Sequence, residues 1–182
     1  MFSYRSSPKA NFASQVHDGY MSLGAFGTSG LFVDEGPVRG AIYRAIHLTD
    51  LFIAENQHDM IDTVFRRFET TARNVLKMFP DGDFSDDMAK AAKDKPDTTM
   101  KLLHVVMPRD DRDTSMPDRL NAKYFSGYFE IATKNLISEG GFSTFPYIVS
   151  RYNTGPRETY VPHGVEKRTK TKGATPHGYS RV

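Results

Sequence analysis

The chain contains no cysteine and no tryptophan. Without thiols, neither a disulfide framework nor a thiolate metal site can form. A reducing cytoplasm is compatible with that composition, although any compartment permits it. No stretch approaches the ~18 consecutive apolar residues that a membrane-spanning helix needs. The opening residues, Met1 to Pro8, lack the apolar run of a secretory leader and are expected to be disordered. No segment repeats another. Hydrophobic residues make up only 38% of the 182 residues, so part of the chain is expected to stay outside the core. Aromatics, by contrast, are plentiful at 12%, from 13 Phe and 9 Tyr. Such side chains fit a pleated surface, which favours a sheet-rich core.

The net charge of +2 is unevenly spread. Residues 157–182 carry six Lys/Arg against two Asp/Glu, which leaves 18 against 20 in residues 1–156. The body is therefore slightly acidic and the tail basic. The tail is rich in Lys, Thr, Gly and Pro without an apolar period, and disorder is expected there. Residues 9–156 are the expected folded domain.

Apolar residues at Phe12, Val16, Tyr20 and Leu23 predict a helix over 9–26 with those four on one face. Gly24, Gly27 and Gly30 would end it through the left-handed conformation. Leu31–Val33 and Ala41–Leu48 read as strands around a turn at Asp34–Pro37. Leu51–Ala54 and Thr63–Phe68 flank Glu55–Asp59 as a hairpin. In its second strand Val64, Arg66 and Phe68 share one face, and Phe65 and Arg67 the other. Thr70 or Thr71 can cap a helix through Phe79, with Val75, Leu76 and Phe79 as its apolar face. Ser85 starts a second short helix that Pro96 ends. Strands are predicted at 101–107, 122–132, 135–138 and 145–152, with a charged loop over 108–121 and a turn at Gly140-Gly141. Strands and helices do not alternate regularly, which argues for an α+β fold with a mainly antiparallel sheet, an N-terminal helix and two short mid-chain helices.

Few residues promise chemistry. The six histidines (His17, His47, His58, His104, His163 and His177) form no helical pair and lack acids at metal-ligand spacing. Gly24-x-x-Gly27-x-x-Gly30 has the helix before the glycines and the strand after them, the reverse of a phosphate loop, so helix termination accounts for it. Asp81, Asp83, Asp86 and Asp87 lack the twelve-residue calcium-loop spacing. Asp86 and Asp87 suit a helix N-terminus instead. Asp110, Asp111 and Asp113 lie in a solvated loop, and a hydrolase using Asp110, Asp111 and His104 is a remote alternative. No catalytic, cofactor or metal site is expected. Arg66 and Arg67 are more telling, because two arginines on opposite faces of an aromatic strand would place one inward or in a subunit contact. The alternative for them is a solvated arginine with an intramolecular ion pair. Lys167, Arg168, Lys170 and Lys172 could grip nucleic-acid phosphates, against the alternative of a solvated end.

Several segments, taken in order, carry a resemblance. Phe26–Val33, Asp50–Asn56, Ile61–Phe68 with Thr71–Arg73, His104–Arg109 and Gly141–Tyr152 together resemble the head-to-tail connecting (portal) proteins of short-tailed bacteriophages over residues 10–160. That resemblance implies a structural protein without a cofactor, found in the virion and in the host cytoplasm during assembly. It implies a ring of portal subunits that docks the capsid, the packaging motor and tail proteins, with DNA passing through its channel during packaging and ejection. It also implies a small barrel-like wing for this region. Arg66, Arg67 and Arg109 are the candidate subunit contacts. Family members continue with stem, clip and channel segments beyond about residue 160, whereas this chain turns to Val161-Pro-His-Gly164 and a basic tail. A truncated gene or prophage remnant is the corresponding expectation, with apolar surface left exposed where packing partners are missing. The competing reading is a small nucleic-acid-binding accessory protein that uses its basic tail.

Overall fold

A computed structural model describes residues 11–35, 40–113, 115–116 and 118–152. The expected turn at 34–37 and the basic tail lie partly or wholly outside the described residues, as do His163, His177, Lys167, Arg168, Lys170 and Lys172.

The elements are helix α1 (Phe12–Phe26), strands β1 (Thr28–Glu35), β2 (Ala41–Ile46), β3 (Leu51–Glu55) and β4 (Ile61–Thr71), helices α2 (Ala72–Met78) and α3 (Asp86–Asp94), and strands β5 (Thr99–Pro108), β6 (Tyr124–Glu130), β7 (Leu136–Phe142) and β8 (Tyr147–Arg151). A single 3₁₀ turn, Leu48–Asp50, joins β2 to β3, so the strand expected through Leu48 stops at Ile46. His47 caps that turn by accepting from Thr49 N. All pairings are antiparallel, in a three-stranded sheet of order β2-β1-β8 and a five-stranded sheet of order β3-β4-β5-β6-β7. The fold is α+β, and the antiparallel sheet expected from the sequence is divided into two open sheets. Among the described residues no barrel closes, because β3 and β7 end the larger sheet and β2 and β8 the smaller.

The two sheets meet face to face through Phe32, Ile46, Leu48, Leu51, Val64, Val106 and Tyr147. Gly30 is required in this layer, since a Cβ there would lie 2.3 Å from Leu51 Cδ2. Arg151 of β8 bridges to Glu55 of β3. Beside the small sheet, α2 and α3 cover the rest of the same face through Val75, Met88, Leu102 and Ile137. Ser85 caps α3, accepting from Met88 N at 3.2 Å while donating to the buried Glu130 at 2.6 Å. Thr71 precedes α2 but makes no side-chain cap. The first N–H groups of α2 instead reach the carbonyls of Thr98 and Pro96, satisfying donors that a cap would otherwise take.

Helix α1 lies on the outer face of the small sheet. Its Gln15 accepts from Ala45 N at 2.7 Å, and Phe12 packs edge-on to Tyr43 at 4.9 Å. Gly19 sits against Ser29, so the inward line runs through Gly19. Tyr20, one residue and about 100° further round, is consequently exposed rather than on the apolar face. Of the three expected glycine stops, Gly27 is the left-handed one, at φ 70°. Gly140 and Gly141 lie within β7 and make no turn. Gly141 is small because Arg119 O and Tyr124 O lie 2.5 and 2.8 Å from where its Cβ would stand.

Candidate functional site

The alternation along β4 decides the first site. Val64 belongs to the core between the sheets and Phe68 packs on the core under the helices, so the intervening Arg66 falls on the seam between them. Arg66 is buried and has His104 as its cross-strand partner on β5, whose next partner on β6 is Tyr128. His104 is sealed from solvent. One ring nitrogen, Nδ1, is 2.8 Å from the Tyr147 hydroxyl of the small sheet, and Nε2 is 2.9 Å from Ser126 Oγ. Its ring stacks on Tyr128 at 4.1 Å and an interplanar angle of 5°. His104 therefore ties the small sheet to the middle of the large one. Burial first, and the nearby Arg66 charge second, lower its pKa to about 3, so the imidazole is neutral at physiological pH. Burial likewise pushes the Tyr128 hydroxyl up to about 12, and that of Tyr147 higher still.

Arg66 has no carboxylate partner among the described residues. Its guanidinium lies over Phe68 at 4.9 Å and Phe32 at 5.7 Å, and it interacts with Tyr147. Desolvation dominates in lowering its pKa, and Arg44 adds to the lowering. Nothing here resembles a nucleophile with its base: His104 is enclosed, whereas Asp110 and Asp111 are exposed on the loop after β5, so the structure does not unite that trio.

The second site is the opposite face of the five-stranded sheet. Phe52, Phe65, Val105 and Gly127 stand in one cross-strand row over β3, β4, β5 and β6. Phe125 and Phe129 flank Gly127, and a Cβ there would meet their rings at 2.6 and 2.9 Å. Both helices and the small sheet lie on the other side. The loop after β5 folds over this face at the Gly141 end, and Val105 and Gly127 are buried within the row. Phe52, Phe65 and Met107 remain 41, 36 and 40% exposed. Arg67 and Arg109 flank the stripe. Arg67 pairs with Asp50 at 3.3 Å across exposed surface. Arg109 is more enclosed, bonded to Glu139 at 2.8 Å and lying 5.2 Å from the Phe125 ring. The three arginines singled out in the sequence are thus separated: Arg66 inside, Arg67 and Arg109 on the outer face. The row of apolar side chains itself was missed, although Leu103, Val105 and Met107 on β5 and Phe125 and Phe129 on β6 recur at alternate positions, which is its sequence signal.

A family model described as "Bacteriophage head to tail connecting protein" matches residues 5–167. The chain is 26% identical over 156 residues to the "Portal protein" of Salmonella phage epsilon15, covering 84% of this chain and 28% of that protein. It is 25% identical over 159 residues to the "Probable portal protein" of Bordetella phage BPP-1, covering 79% of this chain and 26% of that one. The chain spans about a quarter of the length of these curated relatives.

Proposed function

The chain belongs to the bacteriophage head-to-tail connecting protein family, and on that premise we propose that it is a structural part of a phage portal, acting by assembly rather than by catalysis. In this reading it joins other portal subunits in a ring within the virion. That ring meets the capsid, the packaging motor and tail proteins, and DNA passes through its channel during packaging and ejection. The observation that carries the reading is the aromatic outer face of the large sheet, where Phe52, Phe65 and Met107 stay exposed around the buried Val105. A contiguous apolar face of this kind on a sheet marks a surface that another protein covers. Arg67 and Arg109 would flank that contact, and Arg66 would serve it from within by holding the sheet that presents it. In this reading the chain, which spans about a quarter of its relatives' length, supplies one part of a longer portal architecture.

Light scattering on the purified chain tests this. A discrete oligomer that Phe52→Glu with Phe65→Glu converts to a folded monomer is the expected result. A monomer at all concentrations, or an oligomer whose mass the double variant leaves unchanged, would remove this face from the assembly reading. Salt-dependent DNA binding that vanishes on deletion of residues 157–182 would favour the nucleic-acid accessory reading instead.

A further inference from the structure

A cleft of about 430 Å³ opens between the edge strand β2, strand β4 and helix α2. Three cations line it, one from each element: Arg44, Arg66 and Lys77. Thr70 and Asn74 add neutral polar groups on the same wall. Glu69, the acid lining it, is engaged by Lys101 at 3.6 Å. The cleft therefore carries surplus positive charge.

Arg44 and Lys77 are exposed and water screens them, so alone they would mean little. Arg66 differs. It is 7% exposed, cannot shed its proton, and meets no carboxylate among the described residues. Aromatic faces and one hydroxyl offset its lost hydration only in part. A guanidinium fork presents paired N–H groups in the geometry of an oxyanion, and here it forms the floor beneath two further cations. A surplus of this size suits a dianion better than a single carboxylate. The volume is in the range of small-molecule sites, so a phosphate can enter with what it is attached to.

We propose that the Arg44–Arg66–Lys77 cleft binds a phosphate group, either free or carried on a nucleic-acid backbone. The cleft lies on the opposite side of the large sheet from the assembly face, and of its three cations only Arg66 has a part in the assembly reading.

The test is calorimetric titration of the full chain at low ionic strength with inorganic phosphate, and in a second arm with a short single-stranded oligonucleotide. Saturable binding of at least one probe is expected. Arg44→Gln with Lys77→Gln, both at exposed positions, should weaken it at least tenfold. The charge-matched control Lys90→Gln with Lys93→Gln, on exposed positions of α3, should leave it unchanged. Arg66→Met, checked for folding by circular dichroism, should abolish it. Phosphate binding without oligonucleotide binding identifies a small phosphate as the ligand, and the reverse identifies the nucleic-acid backbone. No saturable binding of either probe by the folded chain overturns the proposal. So does binding that the Arg44/Lys77 pair and the Lys90/Lys93 pair weaken equally.

Discussion

Acidification should loosen the clasp between the two sheets, and His104 should be the group responsible. Its pKa falls from 6.5 to about 3 on folding, chiefly through burial and secondarily through Arg66. A base depressed in the folded state is protonated in the unfolded chain first. Between about pH 6.5 and 3 the unfolded chain thus holds a proton that the folded one lacks, and stability drops as the pH falls through that window. Above pH 6.5 the contribution is complete. Linkage at these two values amounts to a loss of about 2 kcal/mol between pH 7 and pH 5, a large share of the ~5–15 kcal/mol that holds a domain together. Tyr147 and Ser126 could rotate their hydroxyls to accept from an imidazolium, so the hydrogen bonds themselves do not forbid the charge. The enclosed site and the unneutralised Arg66 do. The assay is urea denaturation of the wild type and His104→Gln at pH 7, 6 and 5. His17, His47 and His58 are exposed and common to both proteins, as are the carboxylates, so the difference between the two pH slopes isolates His104. The wild type should lose about 2 kcal/mol more than the variant across that range. Parallel slopes would refute the buried neutral imidazole.

Two further substitutions probe the same packing. Gly30→Ala places a methyl 2.3 Å from Leu51 Cδ2, where Leu51 is wholly buried, and should destabilise the chain by about 1–3 kcal/mol in thermal or chemical melts. Ser85→Ala removes the α3 cap and one of the hydroxyls held by the buried Glu130, and should cost about 1–3 kcal/mol. Ser85→Thr, which keeps the oxygen, should recover part of that loss in the same melt.

Much of the chain announces its own structure. The hairpin at 51–68 is legible because two apolar runs flank the polar stretch Glu55–Asp59, and the structure adds longer arms and a register shift between Ala54 and Glu55. Ser85 is legible because a hydroxyl before two aspartates satisfies and charges a helix start. Glycine was harder to read. The same residue type stops a helix at Gly27, admits Leu51 at Gly30 and admits loop carbonyls at Gly141, and only the first is a local event. The other two depend on what the fold brings close from elsewhere, which no window of sequence contains. Tyr20 failed for a related reason: its helical spacing was right, but Gly19 let α1 settle on a line that spacing alone does not choose.

The sites show the same division. Alternation along β4 placed Arg66 and Arg67 on opposite faces, and that is how they stand. It could not say which face was inside, because Val64 and Phe68 on one side and Phe65 on the other are equally apolar. On β5, too, Leu102 and Val106 point one way and Leu103, Val105 and Met107 the other. A strand apolar on both faces is normally sandwiched. Here one face has the small sheet and two helices, and on the other Phe52, Phe65 and Met107 stay exposed around the buried Val105. The chain's aromatic richness is therefore shared between a core that closes within it and an outer face where Phe52 and Phe65 stay exposed. On the assembly reading proposed above, that second portion is the part of the molecule where mutation should change association without changing the fold.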